Sequence, residues 1–191
     1  MSEQQRLKYA DLSPEAIGAM RGVEHYLNVG SGLSPVLLEL VRLRASQMNG
    51  CEFCIGMHSH ELAKHHEPES RVAAVAGWRE SEAFTETERA ALAWTEAVTN
   101  VQDGHVPDAA LGAVREHFPD KEVVDLTVAI ASIGAWNRIG VAFRPQWRGA
   151  KVRAAAATAD VDEIPVNRSL SEDGERAVVG DDGGKVSVDE G

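Results

Sequence analysis

Cys51 and Cys54, the only cysteines among 191 residues, stand in the run Cys51-Glu52-Phe53-Cys54-Ile55-Gly56-Met57-His58. A cysteine pair at this spacing beside a histidine suits thiol redox chemistry. A thiolate attacks peroxide or disulfide, and an imidazole with an ordinary pKa of about 6.5 can carry the proton. If Cys51 to about His65 forms a helix, Cys54 and His58 fall on the face that carries Cys51. Asn49-Gly50 is a turn signal, which places the first cysteine in the first helical turn. There, unpaired N–H groups and the helix dipole favour a thiolate.

Three other readings of the same residues stay open at this point. A purely structural disulfide would close a loop too short to constrain the unfolded chain much. Zinc is a second, because Cys51, Cys54 and His58 are ligand types and His60, His65 and His66 lie close by. Structural zinc, however, usually draws ligand pairs from two segments, and no second Cys-x-x-Cys exists. The third is that both cysteines are simply small core hydrophobes. A thioredoxin-like host is disfavoured for want of a strand-helix context around the motif. No metal and no other cofactor is expected.

A dithiol peroxidase also needs a group to take the thiol proton and a group to orient that base. His58 is the candidate for the first and Glu39 for the second. Glu39 lies among Leu37, Leu38, Leu40 and Val41, where a carboxylate is costly without a partner. The alternative is a solvated glutamate paired with Arg42 or Arg44 at surface spacing.

The elements that must position these groups are all helical. Ser13-Pro14-Glu15 opens a helix to about Tyr26, and Ser34-Pro35 opens a second that ends at Asn49-Gly50, each with a helix-start serine and proline at the first position. The dithiol helix follows. A short helix from Ser70 to Trp78 comes next, and then the capping box Thr85-Glu86-Thr87-Glu88 starts one through about Asn100. Asp108 to Phe118 and Asp120 to about Phe143 complete the set, the last too apolar all round for a surface helix. No period-two strand, repeat or phosphate-binding glycine loop is visible. The expected fold is all-α, a compact bundle of six to seven helices.

All ten aromatic residues fall at or before Trp147, whereas Lys151 to Gly191 holds 10 acidic residues, 5 basic residues and no aromatic ring. Residues 1–150 are therefore expected to form one domain and 151–191 a disordered acidic tail. The net charge of −11 disfavours nucleic acid and anionic membranes as partners. The start MSEQQRLKYA lacks the apolar stretch of a signal peptide, so a cytoplasmic location is expected.

The arrangement Glu39-Leu-Val-Arg42-Leu-Arg44-Ala-Ser46-Gln47-Met-Asn49-Gly50-Cys51-Glu-Phe-Cys54-Ile-Gly-Met57-His58 closely resembles the carboxymuconolactone decarboxylase family, in its alkylhydroperoxidase D-like branch. Trp78-Arg79-Glu80, the run from Phe84 to Trp94, and Trp136-Asn137-Arg138 look like later segments of the same family; the likeness covers about Tyr9 to Arg148. The resemblance implies an all-helical fold assembled as a homotrimer or hexamer. It also implies reduction of a hydroperoxide substrate at the expense of an external dithiol reductant. Cys54 matches the cysteine oxidised to sulfenic acid and Cys51 the partner that closes the disulfide and donates a proton. Glu39 and His58 match the proton relay. Phe53 stands where the best-known members carry a further histidine. Two rivals remain: a lyase or isomerase using Glu39 and His58 as acid and base, and a non-enzymatic redox sensor.

Overall fold

Helices form at nearly every place where the sequence supplies a start signal. The structure, a computed structural model, describes residues 5–147. It contains α1 (Tyr9–Leu12), α2 (Pro14–Val29), α3 (Pro35–Asn49), α4 (Glu52–Lys64), α5 (Glu69–Ala74), α6 (Glu86–Thr99), α7 (Asp108–Arg115) and α8 (Asp120–Phe143). Between α5 and α6 a 3-10 segment runs from Val75 to Glu80. Among the described residues there are thus eight α-helices and no strand, one helix more than the expected upper count. The additional one is α1, a single turn. The described residues belong to the first of two units, Met1–Ala155. The expected acidic tail, 151–191, lies outside the described residues.

Local signals explain most boundaries. Pro14 and Pro35 occupy the first helical positions, as expected, but neither Ser13 nor Ser34 bonds the helix through its side chain. Proline is enough at these starts because its fixed φ suits the first turn and its missing N–H would have had no helical partner. At α6 the capping box is complete: Thr85 accepts from Glu88 N–H, and the Glu88 carboxylate accepts from Thr85 N–H. The helix expected from Ser70 to Trp78 instead ends at Ala74 and continues as the 3-10 segment from Val75, which is kinked at Gly77 (φ −119°, ψ 35°). The helix expected to reach Phe118 stops at Arg115.

Helix α3 is the centre of the bundle. It packs against α4, α6 and α8, and every residue from Leu37 to Ser46 except Arg44 is buried. Leu38 and Val41 join Leu27, Trp94, Leu126 and Ile130 in one apolar cluster, while Leu40 and Leu43 join Leu62, Val75, Trp78 and Leu92 in another. Burial on both sides makes α3 nearly featureless in amphipathic terms, so Glu39 and Arg42 in its sequence become buried charges.

Helix α8 differs from the sequence expectation. By length and composition alone it could cross a membrane. Here Val123, Leu126, Ile130 and Ile133 face the bundle, and Val124 and Val141 lie on the outside at 60% and 49% exposure.

The turn between α3 and α4 depends on one backbone conformation. Gly50 adopts a left-handed φ of 66°. Its N–H bonds Gln47 O, and Cys51 N–H bonds Ser46 O at 3.1 Å, closing the end of α3. Glycine takes this geometry without Cβ strain, so the chain reverses and α4 begins immediately.

Candidate functional site

Cys51 occupies the N-cap of α4, one position before the first turn where the spacing placed it. Its sulfur accepts the Cys54 backbone N–H at 3.4 Å. Cys51 and Cys54 pair as a disulfide, with Cα atoms 5.3 Å apart. Both are buried, at 1% and 2% exposure. The N-cap position aims the Cys51 sulfur at the free N–H groups of the first turn, where negative charge on a reduced sulfur is stabilised.

The third contact of the pair is a backbone. Gly140 on α8 lies so close that a Cβ there would sit 2.6 Å from Cys51 Sγ and 3.4 Å from Cys54 Sγ. Asn137, one turn earlier and fully buried, ties α8 to α3 by donating to Ser46 Oγ at 3.0 Å and accepting from Asn49 at 3.0 Å. In an open helix, Gly→Ala stabilises by about 1 kcal/mol through propensity. We expect that sign for Gly22→Ala in α2, where nothing lies within 4 Å of the added methyl. Gly140→Ala should have the opposite sign, destabilising by about 1–3 kcal/mol because the sulfurs must move. Thermal melts of the two variants check the pair of expectations.

Glu39 and His58 come together across the α3–α4 interface. His58 Nδ1 lies 2.8 Å from Glu39 Oε2, and both side chains are buried. With Glu39 ionised, Nδ1 carries a hydrogen and donates it; in the neutral imidazole Nε2 is then the nitrogen with the lone pair. That Nε2 is buried and has no hydrogen-bond partner among the described residues.

Arg42 completes the arrangement, so the two sequence readings of Glu39 are not exclusive. Arg42 Nη1 donates to Glu39 Oε1 at 2.7 Å and to Asn28 Oδ1 at 3.0 Å, and Nη2 donates to Glu24 Oε2 at 2.7 Å. Glu24 also accepts from Ser132 Oγ and Trp136 Nε1. The pairing is buried, not at the surface. Arg44 does not take part, and pairs instead with Glu96.

Burial alone would raise the Glu39 pKa; His58 and Arg42 outweigh it and hold the carboxyl below its usual range. Since the folded pKa lies below the unfolded value near 4.5, the ionised pairing stabilises fully above that value and is lost as pH falls through the folded one. Melting temperature should therefore drop below about pH 4.5, and the drop should be smaller in Glu39→Gln. Glu88 and Glu96 are also held low, burial again being outweighed by hydrogen-bonding partners, so the comparison with Glu39→Gln isolates this one group.

A cavity of about 390 Å³ opens beside the network and is lined by Glu39, Arg42, Cys54, Met57, His58 and Trp136, among others. Tyr9 of α1 and Pro145 also line it. Tyr9 stacks on Phe143, and Arg6 N–H bonds Phe143 O at 2.9 Å, so the N-terminal segment is fastened to the end of α8. A second hollow of about 530 Å³ reaches the other sulfur, between Gly50, Cys51, Glu52 and Arg144. Phe53 borders both and meets Trp147 edge to face.

The other histidines raised as metal ligands are placed differently. His60 faces Trp147, His65 caps α4, and His66 follows with a positive φ of 63°. Among the described residues no group of three or more His, Cys, Asp or Glu side chains is disposed to hold a metal ion.

Sequence reasoning placed Glu39, Cys51, Cys54 and His58 in one site, and all four line the two hollows around the disulfide. It missed Glu24, Asn28, Trp136 and Gly140. Arg42 was visible at three residues from Glu39 as a surface partner only. Nothing in local spacing points to Glu24 or Gly140, because α2 and α8 reach the site only through tertiary packing.

Residues 13–97 match the carboxymuconolactone decarboxylase family, and this span includes Glu39, both cysteines and His58. YdfG, an uncharacterized protein of Bacillus subtilis (strain 168), is 38% identical over 139 residues, which is 73% of this chain and 94% of YdfG. A solved structure from Agrobacterium tumefaciens, a protein of unknown function described as a candidate antioxidant defence protein AhpD, is 44% identical. It superposes with a TM-score of 0.72 over 75% of this chain and 97% of its own. The debrominase Bmp8 has the same fold at 22% identity, with a TM-score of 0.66 over 77% of this chain and 78% of its own. With the helical bundle, the dithiol and its paired glutamate and histidine in place, this chain belongs to the carboxymuconolactone decarboxylase family, in the alkylhydroperoxidase D-like branch.

Proposed function

We propose that the protein is a thiol-dependent peroxidase that reduces hydroperoxides through Cys54 and Cys51. One observation carries the reading. His58 and Cys54 line the same cavity, the buried Nε2 of His58 has no hydrogen-bond partner among the described residues, and Glu39 holds the ring through Nδ1. An imidazole held in this way, in the cavity that a reduced Cys54 would share, is suited to proton transfer.

In the proposed cycle, Nε2 of His58 takes the Cys54 thiol proton. The thiolate attacks the outer peroxide oxygen, the O–O bond breaks, and the departing alkoxide takes a proton from the imidazolium. Cys54 is then a sulfenic acid. Cys51 attacks it, the S–S bond forms and water leaves. An external dithiol reduces the disulfide by exchange and is itself oxidised to a disulfide. The balance is one hydroperoxide and one dithiol to one alcohol, one water and one disulfide. With Phe53 where related enzymes carry a histidine, His58 conducts the proton alone, and turnover is expected to be modest. The same reading includes a trimeric or hexameric cytoplasmic assembly, checked by sedimentation.

The test is consumption of cumene hydroperoxide by the protein with a panel of small and protein dithiols. Catalytic loss of peroxide with matching alcohol supports the reading. Oxidation of one dithiol equivalent and no turnover with any donor would make the protein a sensor, and lyase activity that survives loss of both cysteines would make it an acid-base enzyme.

A further inference from the structure

We infer that the cavity beside Cys54 accepts a hydroperoxide that also carries a carboxylate, and that Arg21 at its mouth binds that carboxylate. This deepens the peroxidase reading and rests on it.

The cavity has apolar walls, with Phe53, Met57, Ile133 and Trp136 among its lining. Its charged groups are almost all committed. Arg42 is held by Glu24, Glu39 and Asn28, and Glu39 is shared with His58. Glu61, also on the lining, is paired with Lys64 at 2.8 Å. Arg21 is different. It shares one face of α2 with Glu24 and Asn28, at spacings of three and seven residues, and all three line the cavity. Yet Glu24 and Asn28 point their polar atoms at Arg42, and Arg21 makes no hydrogen bond or ion pair among the described residues.

The cavity therefore offers an incoming molecule three chemically distinct zones. Cys54 and His58 meet a peroxide group, the aromatic and aliphatic wall meets a carbon body, and the exposed Arg21 meets an anion. A carboxylate suits that last zone because the planar guanidinium can grip both of its oxygens, and because an exposed arginine gives up little hydration to do so. The committed carboxylates deeper in the cavity would repel the same anion, so the charged end stays at the mouth and the peroxide end goes inward.

The experiment compares a hydroperoxy octanoic acid with its methyl ester, using wild type, Arg21→Gln and Arg21→Lys. In wild type, kcat/KM for the acid should exceed that for the ester by about fivefold. In Arg21→Gln the ratio should fall to near one, mainly through KM, and Arg21→Lys should keep part of it. Added salt should shrink the wild-type ratio. Taking the ratio within each protein cancels any general loss of activity. An acid-to-ester ratio near one in wild type, or an undiminished ratio in Arg21→Gln, overturns the inference. Binding of octanoate itself, by titration calorimetry, separates the two readings: tighter binding to wild type than to Arg21→Gln supports the anion site even where no hydroperoxide is turned over, and equal binding overturns it.

Discussion

Cys54→Ser should consume no hydroperoxide above background, a loss of about a thousandfold or more, whereas Cys51→Ser should react once and stop. The asymmetry follows from where the two sulfurs sit. Cys54 shares its cavity with His58, while Cys51 caps α4 and faces the hollow on the other side. On the proposed reading, Cys54 is therefore the sulfur with a base at hand to become a nucleophile toward peroxide. Cys51, stabilised as a thiolate by the helix N-terminus, is suited to resolving the sulfenic acid. A sulfenic acid trap such as dimedone, followed by mass spectrometry, should label Cys54 in the Cys51→Ser protein after one equivalent of peroxide. Label on Cys51 in the Cys54→Ser protein, with normal peroxide reaction there, would reverse the roles.

The second large effect concerns Glu39 and His58. Glu39→Gln and His58→Gln should each slow peroxide reduction by about a hundredfold, the usual contribution of a positioned proton carrier. The double variant should be little worse than either single one, because Glu39 works through the imidazole it orients. Multiplied defects would mean independent roles. Stability separates this from a structural explanation. Glu39 is also a buried partner of Arg42, and breaking such a pair costs about 3 kcal/mol or more. Glu39→Gln should therefore lower the melting temperature, an effect softened by the remaining Glu24–Arg42 pair. His58→Gln removes no carboxylate from Arg42 and should melt closer to wild type while losing as much activity. A rate defect in Glu39→Gln that merely tracks its unfolding, with His58→Gln fully active, would leave Glu39 as a structural ion pair.

Much of the bundle was readable because helix signals are local. Proline at a first position, a Thr-x-x-Glu box and Asn-Gly at a helix end each act within one or two turns, and α2, α3, α4 and α6 begin or end where those residues stand. The errors have physical causes too. What composition reads as one helix passes into 3-10 geometry at Val75 and kinks at Gly77, a poor helix former, with Val75 and Trp78 buried on either side. Helix α8 reads as too apolar all round for a surface helix, yet it is not the most enclosed element. That place belongs to α3, which carries Glu39, Arg42 and Arg44 in its sequence and so scores as the less apolar helix.

The site divides along the same line. The dithiol, its histidine and the turn that presents them lie within ten residues, so their chemistry follows from covalent spacing and helical geometry. Glu39 could be singled out because a carboxylate among leucines is costly anywhere, but its partner could not be chosen from spacing. Arg42 is three residues away and His58 nineteen, and the folded protein uses both. The backbone of Gly140 against the sulfurs, the Glu24 and Asn28 side chains on Arg42, and the uncommitted Arg21 at the cavity mouth all come from helices distant in the chain. Their positions depend on how α2 packs on α8 and α8 on α3, and that packing is a sum of many small apolar contacts with no signature at any single residue.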